Sequence, residues 1–319
     1  MDTIFFLVQQ MMFFSIPLLV VALGGMFSER SGVVNIALEG IMVMGAFCSI
    51  LFINLMQNTL SGQLLLFYAI LVAMGSGVIF SLLHAYAAIN LKSDQTISGT
   101  ALNMIAPAFA IYAARMIQTN GVQQVQFTNT FRIVSVPVLG DIPFIGPLFF
   151  QNTYITTYIG IGILIVSSIV LYKTKFGLRL RACGEHPQAA DSVGVNVYKI
   201  RYAGVMISGA LAGLGGLIFV IPTSTNFNAT VSGYGFLALA VLIFGQWKPA
   251  RILFAAFFFG LMKTIASAYS GIPFLAVLGI PSDIYKMVPF IATLVVLAFS
   301  SKKSQAPRAS GVPYDKGGR

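Results

Sequence analysis

Acidic residues are scarce in this 319-residue sequence: nine Asp and Glu stand against nineteen Lys and Arg. Histidine occurs only at His84 and His186, and cysteine only at Cys48 and Cys183. These shortages exclude several classes of protein. Two cysteines, one in an apolar run and one in a basic stretch, make no disulfide framework. No His-Glu-x-x-His or Cys-x-x-Cys spacing offers a metal site. No Gly-x-x-x-x-Gly-Lys-Ser/Thr loop offers a phosphate cradle, because Lys263-Thr264 follows Met262 inside an apolar run. A membrane-embedded enzyme would place several acids or histidines in its spans, and these spans hold almost none. No catalytic residue, cofactor or metal is therefore expected. Met1-Asp2-Thr3 lacks a basic leader, so no cleaved signal peptide is expected.

Apolar sequence is what the chain has in abundance. Hydrophobic residues make up 57% and charged residues 9%, which places the chain in the membrane class. A membrane-crossing helix needs roughly 20 mostly apolar residues. Runs over residues 5–26, 36–54, 64–91, 95–117, 153–172, 203–222, 252–270 and 287–299 are candidates, while 235–245 is too short to cross and reads as a broken helix. The expectation is an all-α, polytopic membrane protein of about nine hydrophobic segments, some broken or re-entrant.

The net charge of +10 reads as a topology signal, not as a nucleic-acid footprint. Residues 173–202 hold Lys173, Lys175, Arg179, Arg181, Lys199 and Arg201 between two apolar spans. By the positive-inside rule this loop is cytoplasmic. The same rule puts the N-terminus outside, residues 118–152 in an external connection broken by proline and glycine, and the C-terminus inside. Only Arg115, Arg132, Lys263 and Lys286 then fall elsewhere. Residues 1–300 form one transmembrane domain, and residues 301–319 are expected to be a disordered basic cytoplasmic tail. Ser31-Gly32-x4-Ala37-Leu38 recurs as Ser232-Gly233-x4-Ala238-Leu239. An inverted repeat would put one copy at the inner face and the other at the outer face, with a pathway between two broken helices.

Within the basic loop, Pro187 suits a first helical turn and Gly194 closes the segment. A helix of about two turns between two spans can transmit force to a partner below the membrane; the alternative is a plain solvated loop. Polar residues at membrane depth are costly and tend to face an interior path. Gln95, Thr96, Ser98 and Asn103 cluster at one span's start, and Lys263, Ser267 and Ser270 share one helical stripe. For the first group the alternative is capping and interhelical hydrogen bonding; for Lys263 it is snorkelling. Gly209, Gly213 and Gly216 read as packing glycines, and Glu29, Arg30 and Glu39 as an ion-pair or capping cluster.

Residues 28–40, SERSGVVNIALEG, strongly resemble the first signature of ABC-transporter permeases of the sugar and nucleoside uptake group, within the ribose and branched-chain amino-acid permease family. Residues 94–103 (DQTISGTALN), 139–143 with 146–150, and 233–240 with 244–249 resemble further signatures. Gly184-Glu185-His186-Pro187-Gln188-Ala189-Ala190 matches the family's ATPase-coupling loop, with His where Asn is more usual. The resemblance implies an uptake system of the cytoplasmic (inner) membrane, for nucleosides or simple sugars. Its implied partners are a homologous permease subunit, a cytoplasmic ABC ATPase docked on Gly184, Glu185, His186, Pro187, Ala189 and Ala190, and an external substrate-binding lipoprotein. An ion-coupled secondary transporter and a branched-chain amino-acid permease are the alternatives.

Overall fold

The computed structural model describes residues 2–118, 121–128, 131–269, 281–300 and 305–316. Among them run helices α1 (Asp2–Arg30), α2 (Leu38–Met56), α3 (Gly62–Ile89), α4 (Gln95–Ile117), α5 (Ile155–Lys173), α6 (Lys175–Glu185), α7 (Pro187–Ser192), α8 (Val197–Thr223), α9 (Tyr234–Phe244), α10 (Pro249–Ala268) and α11 (Ser282–Ser300). Among the described residues, seven of the about nine hydrophobic segments expected, α1 to α5 with α8 and α10, are helices long and apolar enough to cross a membrane. With 11 residues α9 is too short for that, as expected. The chain is an all-α polytopic membrane protein.

The central element is α8, which packs against α1, α2 and α3. Small residues permit this approach. A Cβ placed on Gly209 would lie 2.5 Å from Ser81 Cβ and 2.6 Å from the Gly77 carbonyl oxygen, both on α3. Gly213 meets Gly77 of α3 and Gly45 of α2 backbone to backbone. In lipid, where apolar side chains gain little by leaving the tails, such backbone proximity supplies the packing energy that holds helices together.

Residues 31–37 join α1 to α2 without helix, and they do not stay at the bundle's end. Ser31 packs on Gly204, the Asn35 amide donates to Ser208 Oγ at 2.9 Å, and Met42, just inside α2, lies against Gly216. The segment's own contacts climb α8 from residue 204 to residue 208, about 6 Å at 1.5 Å per residue, and α2 continues them to residue 216. Unwound backbone at that depth is tolerated only where protein satisfies it. Glu39, in the first turn of α2, hydrogen-bonds the start of α9 (Gly233 N–H 2.9 Å, Gly235 N–H 2.6 Å), so the two breaks meet inside the bundle.

At the Asp2 end of α1 the connection beyond α4 folds into two small antiparallel pairs, Val125–Gln126 with Asn226–Phe227 and Arg132–Ser135 with Gln151–Tyr154. A π-turn over Gly146–Phe150 lies on α1, where Gln9 donates to the Pro147 carbonyl at 2.8 Å. Arg30, Trp247, α6 and α7 gather at the other end of α1.

The expectation of a disordered tail fails for residues 305–316. They lie against α6, α7, α8 and the unwound segment, with Tyr314 buried at 3% exposure. The physical reason is Tyr314, whose ring is buried with Cys183, Ala190 and Val197 although the surrounding sequence is polar and basic.

Candidate functional site

Three neighbourhoods carry the residues singled out from the sequence, and they do different things. At the start of α4, Asp94 is the N-cap, accepting from Thr96 N–H (2.7 Å) and Ile97 N–H (3.0 Å). These two donors hold the Asp94 carboxyl below its ordinary range. Gln95, buried, accepts from Val34 N–H at 2.7 Å. Asn103 accepts from Gly40 N–H at 2.7 Å and donates to the Ile36 carbonyl at 2.9 Å. Ser98 meets His84 Nδ1 at 3.0 Å, and His84 Nε2 meets the Val34 carbonyl at 2.9 Å. Gln95, Ser98 and Asn103 therefore clamp the unwound segment to α4, whereas the Thr96 side chain faces outward. This is interhelical hydrogen bonding, the alternative noted above. None of the four reaches the cavity that Lys263 lines.

That cavity, of about 670 Å³, lies between α1, α8, the start of α9 and α10. Phe13 and Phe14 of α1, Phe219 of α8 and Tyr234 of α9 give it aromatic walls; Gln10, Thr223, Ser232 and Ser267 give it amide and hydroxyl groups. The Lys263 ammonium sits 5.5 Å from the Tyr234 ring centroid and 5.9 Å from that of Phe290, within cation–π range. No acidic residue pairs with it among the described residues. Tyr234 is buried, its ring tilted 4.2 Å from Phe219, and its hydroxyl has no hydrogen-bond partner among the described residues. Lys263 and Ser267 are thus brought together; Ser270 lies outside the described residues.

The third neighbourhood is α6 and α7. Thr174 caps α6 through Gly177 N–H (3.1 Å), and Pro187 opens α7 as expected. Gly194, at φ +84°, ends the segment in the left-handed conformation that glycine adopts freely. His186 and Ala189 are exposed; Gly184, Pro187 and Ala190 are buried. Ala190 is not free to face a partner as expected, because it packs with Cys183, Val197 and Tyr314. Glu185 approaches Arg30 at 4.0 Å. Arg30 in turn donates to the Trp247 carbonyl (3.1 Å), and Glu29 accepts from the Trp247 indole N–H (2.6 Å).

Sequence reasoning missed the way α9 links two of these places. Trp247, just beyond its C-terminal end, is held by Glu29 and Arg30 beside α6. Its first residue, Tyr234, lies in the cavity, and Glu39 caps its first N–H groups. A negative charge at a helix N-terminus is favourable on both hydrogen-bonding and dipole grounds. The signal was the recurrence of Ser-Gly before each helix, but no local pattern reports a carboxylate reaching across 194 residues.

Residues 7–297 match the family described as branched-chain amino acid transport system / permease component. The guanosine ABC transporter permease protein NupQ of Bacillus subtilis (strain 168) is 45% identical over 307 residues, covering 96% of this chain and 95% of the relative. The nucleoside ABC transporter permease protein NupC of Lactococcus lactis is 42% identical, covering 99% and 98%. A second protein of that organism, the nucleoside ABC transporter permease protein NupB, is 25% identical over 94% of this chain and 83% of its own length. No solved structure matches.

Proposed function

The chain belongs to the family of branched-chain amino acid transport system permease components and is a transport subunit of the ABC type; on that premise we propose that it imports nucleosides. The observation that carries this reading is the cavity at Lys263. Aromatic faces at Phe13, Phe14, Phe219 and Tyr234 suit a stacked base. Amide and hydroxyl groups at Gln10, Thr223, Ser232 and Ser267 suit a ribose, and an ammonium with no acidic partner among the described residues suits a base carbonyl. The names of the two relatives above 40% identity favour the same substrate class.

In this reading α6 and α7 face the cytoplasm and receive a separate ATPase on the exposed His186, Gln188, Ala189 and Val193, with the tail end inside and the N-terminus outside. A push on α7 would reach Arg30 through Glu185, then Trp247, and then α9 as a rigid rod of about 16 Å at 1.5 Å per residue. The far end of that rod carries Tyr234, so the cavity wall would move with the ATPase. The polar clamp of Gln95, Ser98 and Asn103 would keep the unwound segment fixed while α9 shifts beside it. The partner across the membrane is proposed to be a homologous permease; the two nucleoside permease proteins of Lactococcus lactis, both similar to this chain, favour a heterodimer. An external substrate-binding lipoprotein would deliver the nucleoside.

The test is uptake of radiolabelled guanosine by cells carrying the whole transport system, with and without this chain. Loss of uptake on deletion, restored by the wild-type chain, is expected; unchanged uptake would end the nucleoside reading. Ala189→Arg, on the exposed face of α7, is expected to separate the ATPase while the permease stays folded. Normal co-purification of the ATPase with Ala189→Arg would remove α7 as its dock. Labelling of Ser192→Cys by an impermeant reagent in intact cells, with none at Thr128→Cys, would reverse the orientation.

A further inference from the structure

A six-residue helix does not hold itself together in water, so something must support the inner face of α7. The structure shows what does. Residues 307–315 lie behind α6 and α7, on the side opposite Ala189. The Ala309 N–H donates to the Gly184 carbonyl at 2.8 Å, and the Gly311 N–H to the Gly32 carbonyl at 3.2 Å. Both acceptors belong to groups that need partners, one in the last turn of α6 and one in the unwound 31–37 segment. The Arg201 guanidinium, 1% exposed, donates to the Val312 carbonyl at 3.0 Å and lies 6.0 Å from the Tyr314 ring. Tyr314 meets Tyr198 edge-on at 5.4 Å and completes a buried cluster with Cys183, Ala190 and Val197. Lys92, beyond the end of α3, pairs with Asp315 at 3.0 Å.

The tail therefore touches the end of α6, the back of α7, the first turns of α8 and the unwound segment at once. Gly184 leaves no slack in this stack: a Cβ there would meet the Arg30 carbonyl on one side and Pro307 at 3.3 Å on the other. From this geometry we propose that the C-terminal segment 307–315, anchored by Tyr314, is a positioning element of the coupling helix. It holds α7 in register with the 31–37 segment so that motion received at Ala189 is passed into the membrane domain. Without it α7 still offers its exposed face, but its displacement dissipates into an unsupported turn. The proposal rests on the reading of α7 as the ATPase dock.

The test uses the complete transporter reconstituted in liposomes, in a Cys48→Ala background that leaves Cys183 as this chain's single thiol. Cys183 reports whether the tail is seated: it is fully buried, and burial pushes its pKa up to about 11, with nearby Arg201 pulling the other way. Maleimide labelling at pH 7 is expected to be slow in the wild-type tail and at least tenfold faster in Tyr314→Ala and in a chain ending at residue 304. In both variants ATPase co-purification and basal hydrolysis are expected to persist. The ratio of guanosine-stimulated to basal hydrolysis, taken per folded complex, is expected to fall at least fivefold. Tyr314→Phe keeps the ring and is expected to restore both readouts. An unchanged ratio in Tyr314→Ala despite fast Cys183 labelling would overturn the proposal, as would labelling that stays slow when the tail is gone. If the truncated chain fails to accumulate, the Tyr314→Ala and Tyr314→Phe pair decides alone. Ala189→Arg separates the two ideas. Loss of the ATPase with Ala189→Arg beside a silent Tyr314→Ala refutes the tail and keeps the dock. The converse pattern refutes the dock.

Discussion

The polar residues at the head of α4 and the polar residues around Lys263 look alike in the sequence, as costly groups inside apolar runs, yet the structure uses them in opposite ways. At α4 the Gln95 side-chain carbonyl oxygen, Ser98 and both ends of the Asn103 amide meet partners from the 31–37 segment, from Gly40 in the first turn of α2 or from His84. At Lys263 the ammonium has only aromatic faces, and the Tyr234 hydroxyl has no partner among the described residues. A polar group whose bonds are made inside the protein rigidifies what it touches. One whose bonds are left open beside a cavity is available to a solute. Depth in the membrane does not distinguish scaffold from pathway, and neither does satisfaction alone: Gln95 Nε2 is buried without a partner among the described residues, yet Gln95 does not line the cavity at Lys263.

The sharpest way to break that comparison is at Glu39, which belongs to the scaffold although it reaches the pathway. Glu39→Ala leaves the Gly233 and Gly235 N–H groups unpaired inside the bundle. Bonds to a charged acceptor contribute roughly 1.5–3 kcal/mol each, so a loss of about 3 kcal/mol or more is expected. It would be read as a large fall in detergent-solubilised melting temperature, with Glu39→Gln recovering part of it. A wild-type melting temperature for Glu39→Ala would mean that the cap is ornamental. Next comes Asn103→Ala, which strips Gly40 N–H and the Ile36 carbonyl of partners. About 2 kcal/mol of stability or more should go, at 1–3 kcal/mol per orphaned group, with the nucleoside concentration for half-maximal uptake unchanged in what folds. A shifted half-maximal concentration would move Asn103 into the pathway.

Lys263→Met should do the reverse. Its melting temperature is expected to hold or rise, since a desolvated ammonium is removed. Guanosine uptake is expected to fall about tenfold, equivalent to about 1.4 kcal/mol. Normal uptake by Lys263→Met would leave the cavity without its defining group. The smallest effect is expected at Asp94. Its carboxyl is held below the ordinary range, so its contribution is present above the unfolded-state value and is lost as pH falls through the folded one. Amide exchange at Thr96 and Ile97 should quicken in Asp94→Ala at neutral pH, and the difference from wild type should vanish in acid. A difference that persists in acid would assign the protection to something other than the cap.

Much of the fold was legible because membrane helices announce themselves through length and hydropathy alone. Pro187 at the head of α7 and the shortness of α9 were equally local facts. Of the site, the pairing of Lys263 with Ser267 could be read from helical spacing. The burial of Ala190, the seat of Tyr314 and the reach of Glu39 could not. Each depends on a partner 111 or more residues away, as in Arg201 to Val312 or Glu39 to Gly233, and periodicity carries no information at that range. The tail was misread for a related reason: basic and glycine-rich composition describes an average, whereas one tyrosine decides where the segment rests.

Of the most apolar stretch of α8, 83% is buried inside the chain, against 28% for α4 and for α5. A helix enclosed in this way has almost no boundary with acyl chains. A thinner or thicker bilayer can act on it only through its neighbours. Hydrophobic mismatch, which costs fractions of a kcal/mol per Å, then falls on the less enclosed spans, α4 and α5 among them. Because α4 carries the clamp on the unwound segment, bilayer thickness bears on this protein through Gln95 and Asn103 before it bears on the helix at its centre.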